Sequence, residues 1–215
     1  LEWIAAHARE LAAVIVEPVQ SRNPGLQPRE FLHRVREITA AADTALVFDE
    51  VITGFRCHQG GAQAWFGVRA DMATYGKVIG GGMPIGALAG SRKWMDALDG
   101  GHWNYGDDSI PEVGVTFFAG TFVRHPLAIA AAHAALTHLE AEGPELQERV
   151  NRNAARLVAE LETVFTERGV DATVERFASV LRLELSHDYK HAGLFFFHLR
   201  LRGIHFWRDA WRSSP

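Results

Sequence analysis

Three charged residues, Glu17, Asp49 and Lys77, each stand where a short apolar run gives out: Ala12 to Val16, Thr44 to Phe48, and Met72 to Tyr75. In open α/β sheets ligands gather outside the carboxyl ends of the strands, so three such ends bring two carboxylates and an amine within reach of one site. A lysine at the rim of a buried site loses its proton readily, and the neutral amine is the nucleophile that condenses with a carbonyl to a Schiff base. Gly76 and Gly80, Gly81 and Gly82 around Lys77 allow the backbone to approach a ligand closely. The plain alternative for each charge is that loops are wet and charged residues collect in them.

The elements that must position these residues follow from periodicity. Ala12 to Val16 is a continuous apolar run, the pattern of a strand buried on both faces, and it ends in Glu17-Pro18. Pro28 suits a first helical position, and Phe31, Leu32, Val35 and Ile38 follow at helical spacing before the second run. Strand, helix, strand is the βαβ signature of a parallel sheet, and Met72 to Tyr75 with Pro84 to Ala89 extends it. Further on, Ile129, Ala132, Leu136 and Leu139 predict one helix. Leu146, Val150, Ala154, Leu157, Leu161 and Val164 predict a longer one closed by Gly169. Leu181, Leu183 and Leu185 alternate with Arg182 and Glu184, as in an antiparallel strand with one wet face. The expected organisation is a large α/β domain over residues 1–142 and part of a smaller α+β domain over 143–215, parted near Gly143-Pro144.

Composition narrows the partners. A chain of 215 residues that is 47% hydrophobic and 22% charged can bury a real core, and its net charge of −4 gives no reason to expect nucleic acid or an anionic membrane. The single cysteine, Cys57, makes no internal disulfide, and no charged-then-apolar leader opens the chain, so a reducing cytoplasm is the expected setting. A start without Met and a stop at Ser213-Ser214-Pro215 read as a fragment. His187 and His191 stand at i, i+4, but Lys190 lies between them and no third ligand follows at a recognisable spacing, so no metal site is expected. A P-loop needs its lysine after the glycines, whereas Lys77 precedes them, and Ile85 stands where the dinucleotide fingerprint requires glycine.

Taken in order and spacing, four segments resemble the class III aminotransferases, enzymes of the pyridoxal-phosphate (PLP) fold-type I. They are Val16-Glu17-Pro18-Val19, Phe48-Asp49-Glu50-Val51-Ile52-Thr53-Gly54-Phe55-Arg56, Tyr75-Gly76-Lys77-Val78-Ile79-Gly80-Gly81-Gly82-Met83-Pro84-Ile85-Gly86-Ala87, and Gly120-Thr121. Within that family the chain resembles the glutamate-1-semialdehyde aminomutase-like branch, in the form embedded in polyketide and nonribosomal peptide assembly lines. That finer likeness rests on Tyr105 to Ser109, Phe117 to Pro126 and Phe197 to Trp207.

The resemblance implies roles residue by residue. Lys77 would hold PLP as a Schiff base and carry the proton between substrate carbon and cofactor. Asp49 would pair with the pyridine nitrogen. Val51, pointing with Asp49 if the chain stays extended, would pack on the ring, or would be a plain core valine. Thr121 would reach the cofactor phosphate of a neighbouring subunit in a homodimer, with capping of the following helix as its alternative. Glu17 would lie near the site, although Ser21-Arg22 replaces the Gly-Asn usual in the mutases. The family's glycine-serine phosphate loop and stacking aromatic belong upstream of Leu1.

The implied activity is amino transfer from an amino-acid donor to a keto or aldehyde acceptor, on a chain tethered to an acyl carrier protein. A free-standing aminomutase and an inactive structural relative are the alternatives. Arg200-Arg202 and Arg208-Arg212 would face an acidic carrier or simply water, and Trp207 and Trp211 would pack on each other if helical.

Overall fold

A computed structural model of the chain describes residues 1–98, 100–101, 103–104, 106–112, 114, 116, 119–121, 123–186 and 192–206. The chain folds as two compact units, Leu1–Pro18 with Pro28–Gln147, and Val19–Gln27 with Glu148–Pro215. Among the described residues no helix is long and apolar enough to cross a membrane.

The first unit opens with α1 (Glu2–His7) and a 3-10 turn (Ala8–Glu10) before β1 (Ala13–Val16). Helix α2 (Arg29–Ala42) crosses to β2 (Ala45–Asp49), then come α3 (Gly61–Phe66) and β3 (Met72–Gly76). After a 3-10 turn (Lys77–Gly80), β4 (Gly86–Gly90) and α4 (Arg92–Met95) follow. Pro28 proves to be the residue before α2, because its ψ of 58° is not helical, and Arg29 takes the first helical place. The helix turns Leu32, Val35 and Thr39 inward, and the Thr39 hydroxyl donates to the Val35 carbonyl at 2.9 Å, so even its buried polar group is satisfied.

The sheet runs β1-β2-β3-β4. β1 with β2 and β2 with β3 are parallel, and β4 closes the order antiparallel to β3. The mainly parallel α/β fold read from the apolar runs is the fold observed. One expectation is corrected: in this chain β1 stands at an end of the strand order and is not buried on both faces, Ile15 being 71% exposed. The apolar run could not distinguish an edge place from a central one. By register, Ile15, Val47 and Met72 share one face of the sheet with Asp49, Thr74 and Leu88.

Helix α5 (Pro126–Glu142) also belongs to the first unit. It buries Ala128, Ala132 and Leu139, whereas Ile129 and Leu136 of the predicted stripe are exposed. The reason lies across the contact. A Cβ at Gly81 would stand 3.2 Å from the Ala131 carbonyl oxygen and 3.6 Å from the Ala135 Cβ, so backbone meets backbone and only alanines fit. Gly81 thus serves helix packing, a use of the glycine turn that the sequence does not reveal.

Helix α6 (Glu145–Arg168) follows Gly143, and its buried residues beyond the division of the units are Ala154, Val158 and Phe165. Val150, Leu157 and Val164 of the predicted stripe face water, because the apolar arc of this helix is wider than the stripe its neighbours cover. In the second unit β5 (Ala172–Phe177) and β6 (Val180–Leu185) form an antiparallel hairpin that buries Phe177, Leu183 and Leu185, as the alternation of leucines predicts. Helix α7 (Ala192–Leu201) is the last element among the described residues.

Candidate active site

Asp49 is the last residue of β2 and lies beside Thr74 of β3 in the parallel register. Its Oδ1 accepts the Thr74 hydroxyl at 3.2 Å and the Val51 N–H at 3.1 Å. Among the described residues Oδ2 has no hydrogen-bond partner. The half-buried carboxylate therefore keeps one oxygen anchored and the other available to a donor that arrives with a ligand.

Glu50 turns the other way. It is 1% exposed, and its Oε2 accepts the Thr53 hydroxyl and the Ala62 N–H, each at 2.7 Å, while Oε1 accepts the Gln63 N–H at 3.0 Å. A buried carboxylate persists only when its oxygens are satisfied, and this one caps the first turn of α3 from a distance in sequence. Gly61, at φ +65°, makes room for it: a Cβ there would stand 2.5 Å from Oε2. Burial pushes the Tyr75 phenol up, with the Glu50 charge adding to the effect and a hydrogen bond from Gln63 opposing it. Burial likewise pushes the Cys57 thiol up to about 12, again with Glu50 as the second cause. Glu50 thus ties Thr53, Ala62 and Gln63 into a support next to Asp49.

Lys77 leaves β3 directly after Gly76 and is exposed at the carboxyl edge of the parallel strands. Its φ of +47° is a left-handed conformation that costs a non-glycine residue about 1–2 kcal/mol, strain that proteins hold mainly at functional positions. Gly76 is needed beside it, since a Cβ there would stand 3.2 Å from the Ile85 carbonyl oxygen and 3.5 Å from Val51 Cγ1. Val51 therefore lies against Gly76, the residue before Lys77. It does not get there as an extended continuation of β2, because the chain turns after Asp49.

Of the remaining candidates, Glu17 is half-buried one residue past the paired end of β1. Thr121 is exposed in the turn before α5, and it does not cap that helix: His125 does, its Nδ1 accepting the Ala128 N–H at 3.4 Å. The structure brings Asp49, Val51, Thr74, Gly76 and Lys77 together at two adjacent strand ends, with Glu17 at the third. His187, Lys190, His191, Trp207, Trp211, Arg208, Arg212, Tyr105, Phe117, Phe118 and Phe122 lie outside the described residues.

The sequence model of the class-III aminotransferases matches residues 1–207, which takes in every residue of this edge. The chain belongs to the class-III aminotransferase family. Among curated class-III relatives, a glutamate-1-semialdehyde 2,1-aminomutase of Alkaliphilus oremlandii is 38% identical over 204 residues, 91% of this chain and 45% of the relative. An omega-transaminase from Sphaerobacter thermophilus superposes with a TM-score of 0.76 at 33% identity, covering 95% of this chain and 47% of that one. A transaminase solved with PLP bound superposes with a TM-score of 0.77 at 29% identity and the same coverage. The chain thus spans about half the length of the class-III proteins it matches.

Two residues of this class-III edge escaped the sequence reading. Thr74 gives no signal, because its neighbourhood with Asp49 exists only once β2 and β3 are paired. Glu50 had a faint one: successive strand residues point to opposite faces, so an Asp-Glu pair at a strand end sends one carboxylate outward and one inward.

Proposed function

We propose that the protein uses PLP to move an amino group from an amino-acid donor to a keto or aldehyde acceptor. The observation that carries this reading is the pairing of an anchored carboxylate having one free oxygen, Asp49, with a strained, exposed lysine at the next strand end, Lys77. These residues fit PLP: Oδ2 of Asp49 suits a protonated ring nitrogen, and the Lys77 amine suits an aldehyde. When bound, PLP supplies a carbonyl that takes up amines and a ring that accepts electrons from the substrate carbon. Asp49 would keep the proton on the ring nitrogen. Lys77 would hold the cofactor through its Nζ and would move a proton at that atom. Val51 would pack on the ring, Glu17 would border the site, and Thr121 would reach the phosphate held by the partner protomer of a homodimer.

The acceptor has two readings within this branch. The resemblance of the sequence to assembly-line domains supports an acyl chain tethered to a carrier protein. The aminomutase relatives at 36–43% identity support a soluble amino-aldehyde. Turnover of glutamate-1-semialdehyde, set against a keto chain loaded on a carrier protein, separates them. A buried, protonated Cys57 and the absence of other cysteines suit a reducing cytoplasm.

The test of the central reading is the visible spectrum of the full-length protein with PLP, beside Lys77→Ala, before and after borohydride. A band that borohydride fixes covalently in the parent and that the variant lacks supports the reading, and turnover should then fall by at least about 10²-fold in Lys77→Ala. A folded parent without the band makes the protein an inactive relative.

A further inference from the structure

We propose that Thr74 is a positioning residue for amino transfer: its hydroxyl fixes the Asp49 carboxylate and ties it to the strand that leads into Lys77. The inference rests on the PLP reading above and extends it to a residue outside the motif.

Thr74 holds the exit of β2 twice. Its carbonyl oxygen accepts the Glu50 N–H at 3.0 Å, and its hydroxyl donates to Asp49 Oδ1 at 3.2 Å. The first bond continues the parallel ladder and any residue would make it. The second needs a hydroxyl at this place. Because the Val51 N–H reaches the same oxygen, two donors converge on Oδ1 from the β3 side and from the turn. Rotation of the carboxylate would break both, so its plane is set and Oδ2 is the oxygen presented to a ligand. Hydrogen bonds to an ionised acceptor are the stronger kind, which makes the hydroxyl an effective lock.

The same residue stands only three positions before Lys77, and both intervening residues are held. The Tyr75 phenol accepts Gln63 Nε2 at 3.3 Å and its ring meets Phe55 with centroids 5.5 Å apart. Gly76 is pinned between Ile85 and Val51. The route from Asp49 through Thr74 to Lys77 is therefore short and stiff. Thr74 need not touch the substrate. It sets the spacing between the Asp49 carboxylate and the Lys77 amine, and chemistry on a positioned cofactor would be sensitive to such spacing.

The experiment measures PLP dissociation by absorbance titration, and the pH midpoint of the visible band, in the full-length protein and in Thr74→Val, Thr74→Ser and Asp49→Asn. Valine keeps the branched shape and removes the donor, while serine keeps the donor and removes the methyl. We expect Thr74→Val to bind PLP about tenfold more weakly with a displaced midpoint, and Thr74→Ser to stay within about twofold of the parent. Parent-like behaviour of Thr74→Val beside an impaired Asp49→Asn overturns the role of Thr74 alone. Thr74→Ser as weak as Thr74→Val overturns it too, since the methyl would then matter more than the hydroxyl. Parent-like Asp49→Asn overturns the PLP reading on which the inference stands.

Discussion

Cys57 illustrates how one buried charge sets the chemistry of its neighbours. Its thiol donates to the Thr53 carbonyl at 3.3 Å, inside the segment that Glu50 organises, and burial followed by the Glu50 charge raises its pKa to about 12. The protonated form is favoured in the folded state, so its contribution to stability is whole below the ordinary value of 9.0 and is lost as pH rises from there toward about 12. Labelling by iodoacetamide at pH 8 should be at least about a hundredfold slower in the native protein than in urea, because only the thiolate reacts. Comparable rates would mean the thiol is neither buried nor raised in pKa. The urea midpoint should fall as pH is taken above 9.0.

At the scale of elements, the contact between the glycine turn after Lys77 and helix α5 decides where the lysine can sit. Gly81 takes φ +56° and approaches the helix backbone so closely that α5 presents Ala128 and Ala132 inward and leaves Ile129 and Leu136 outside. Gly81→Ala meets both obstacles, a left-handed conformation and a Cβ 3.2 Å from the Ala131 carbonyl oxygen. It should cost about 1–2 kcal/mol of stability in urea unfolding, and more if the turn cannot shift. It should also loosen PLP binding, since Lys77 opens that turn. An unchanged unfolding midpoint would show that α5 yields instead. The helical periodicity of residues 126–142 was legible in the sequence. Which side of the helix faces inward was not, because large apolar residues mark a core face only where the neighbour leaves room for them.

At the scale of the whole molecule, the proposal makes the site a property of two chains. Thr121 is exposed in its turn and the helix after it is capped by His125, so the threonine is not needed for local structure. If it serves the phosphate bound by a partner, activity depends on the dimer. Specific activity of the full-length protein should fall on dilution in step with the dimer fraction measured by sedimentation. Full activity in a monomer would remove Thr121 from the site.

From the sequence alone came the alternation of strand and helix, the three strand ends with Glu17, Asp49 and Lys77, and the motifs shared with class III. Short apolar runs, turn residues and charges at fixed spacing are local features, and local features survive in one dimension. Only the tertiary structure decided that β1 stands at an end of the strand order and that β4 is antiparallel, since both depend on which strands meet. It likewise decided the roles of Thr74, Glu50 and Gly81. Each acts on a residue 12 or more positions away, Thr74 on Asp49, Glu50 on Ala62, Gly81 on Ala131, and such pairs exist only when the sheet is paired and the helices are docked.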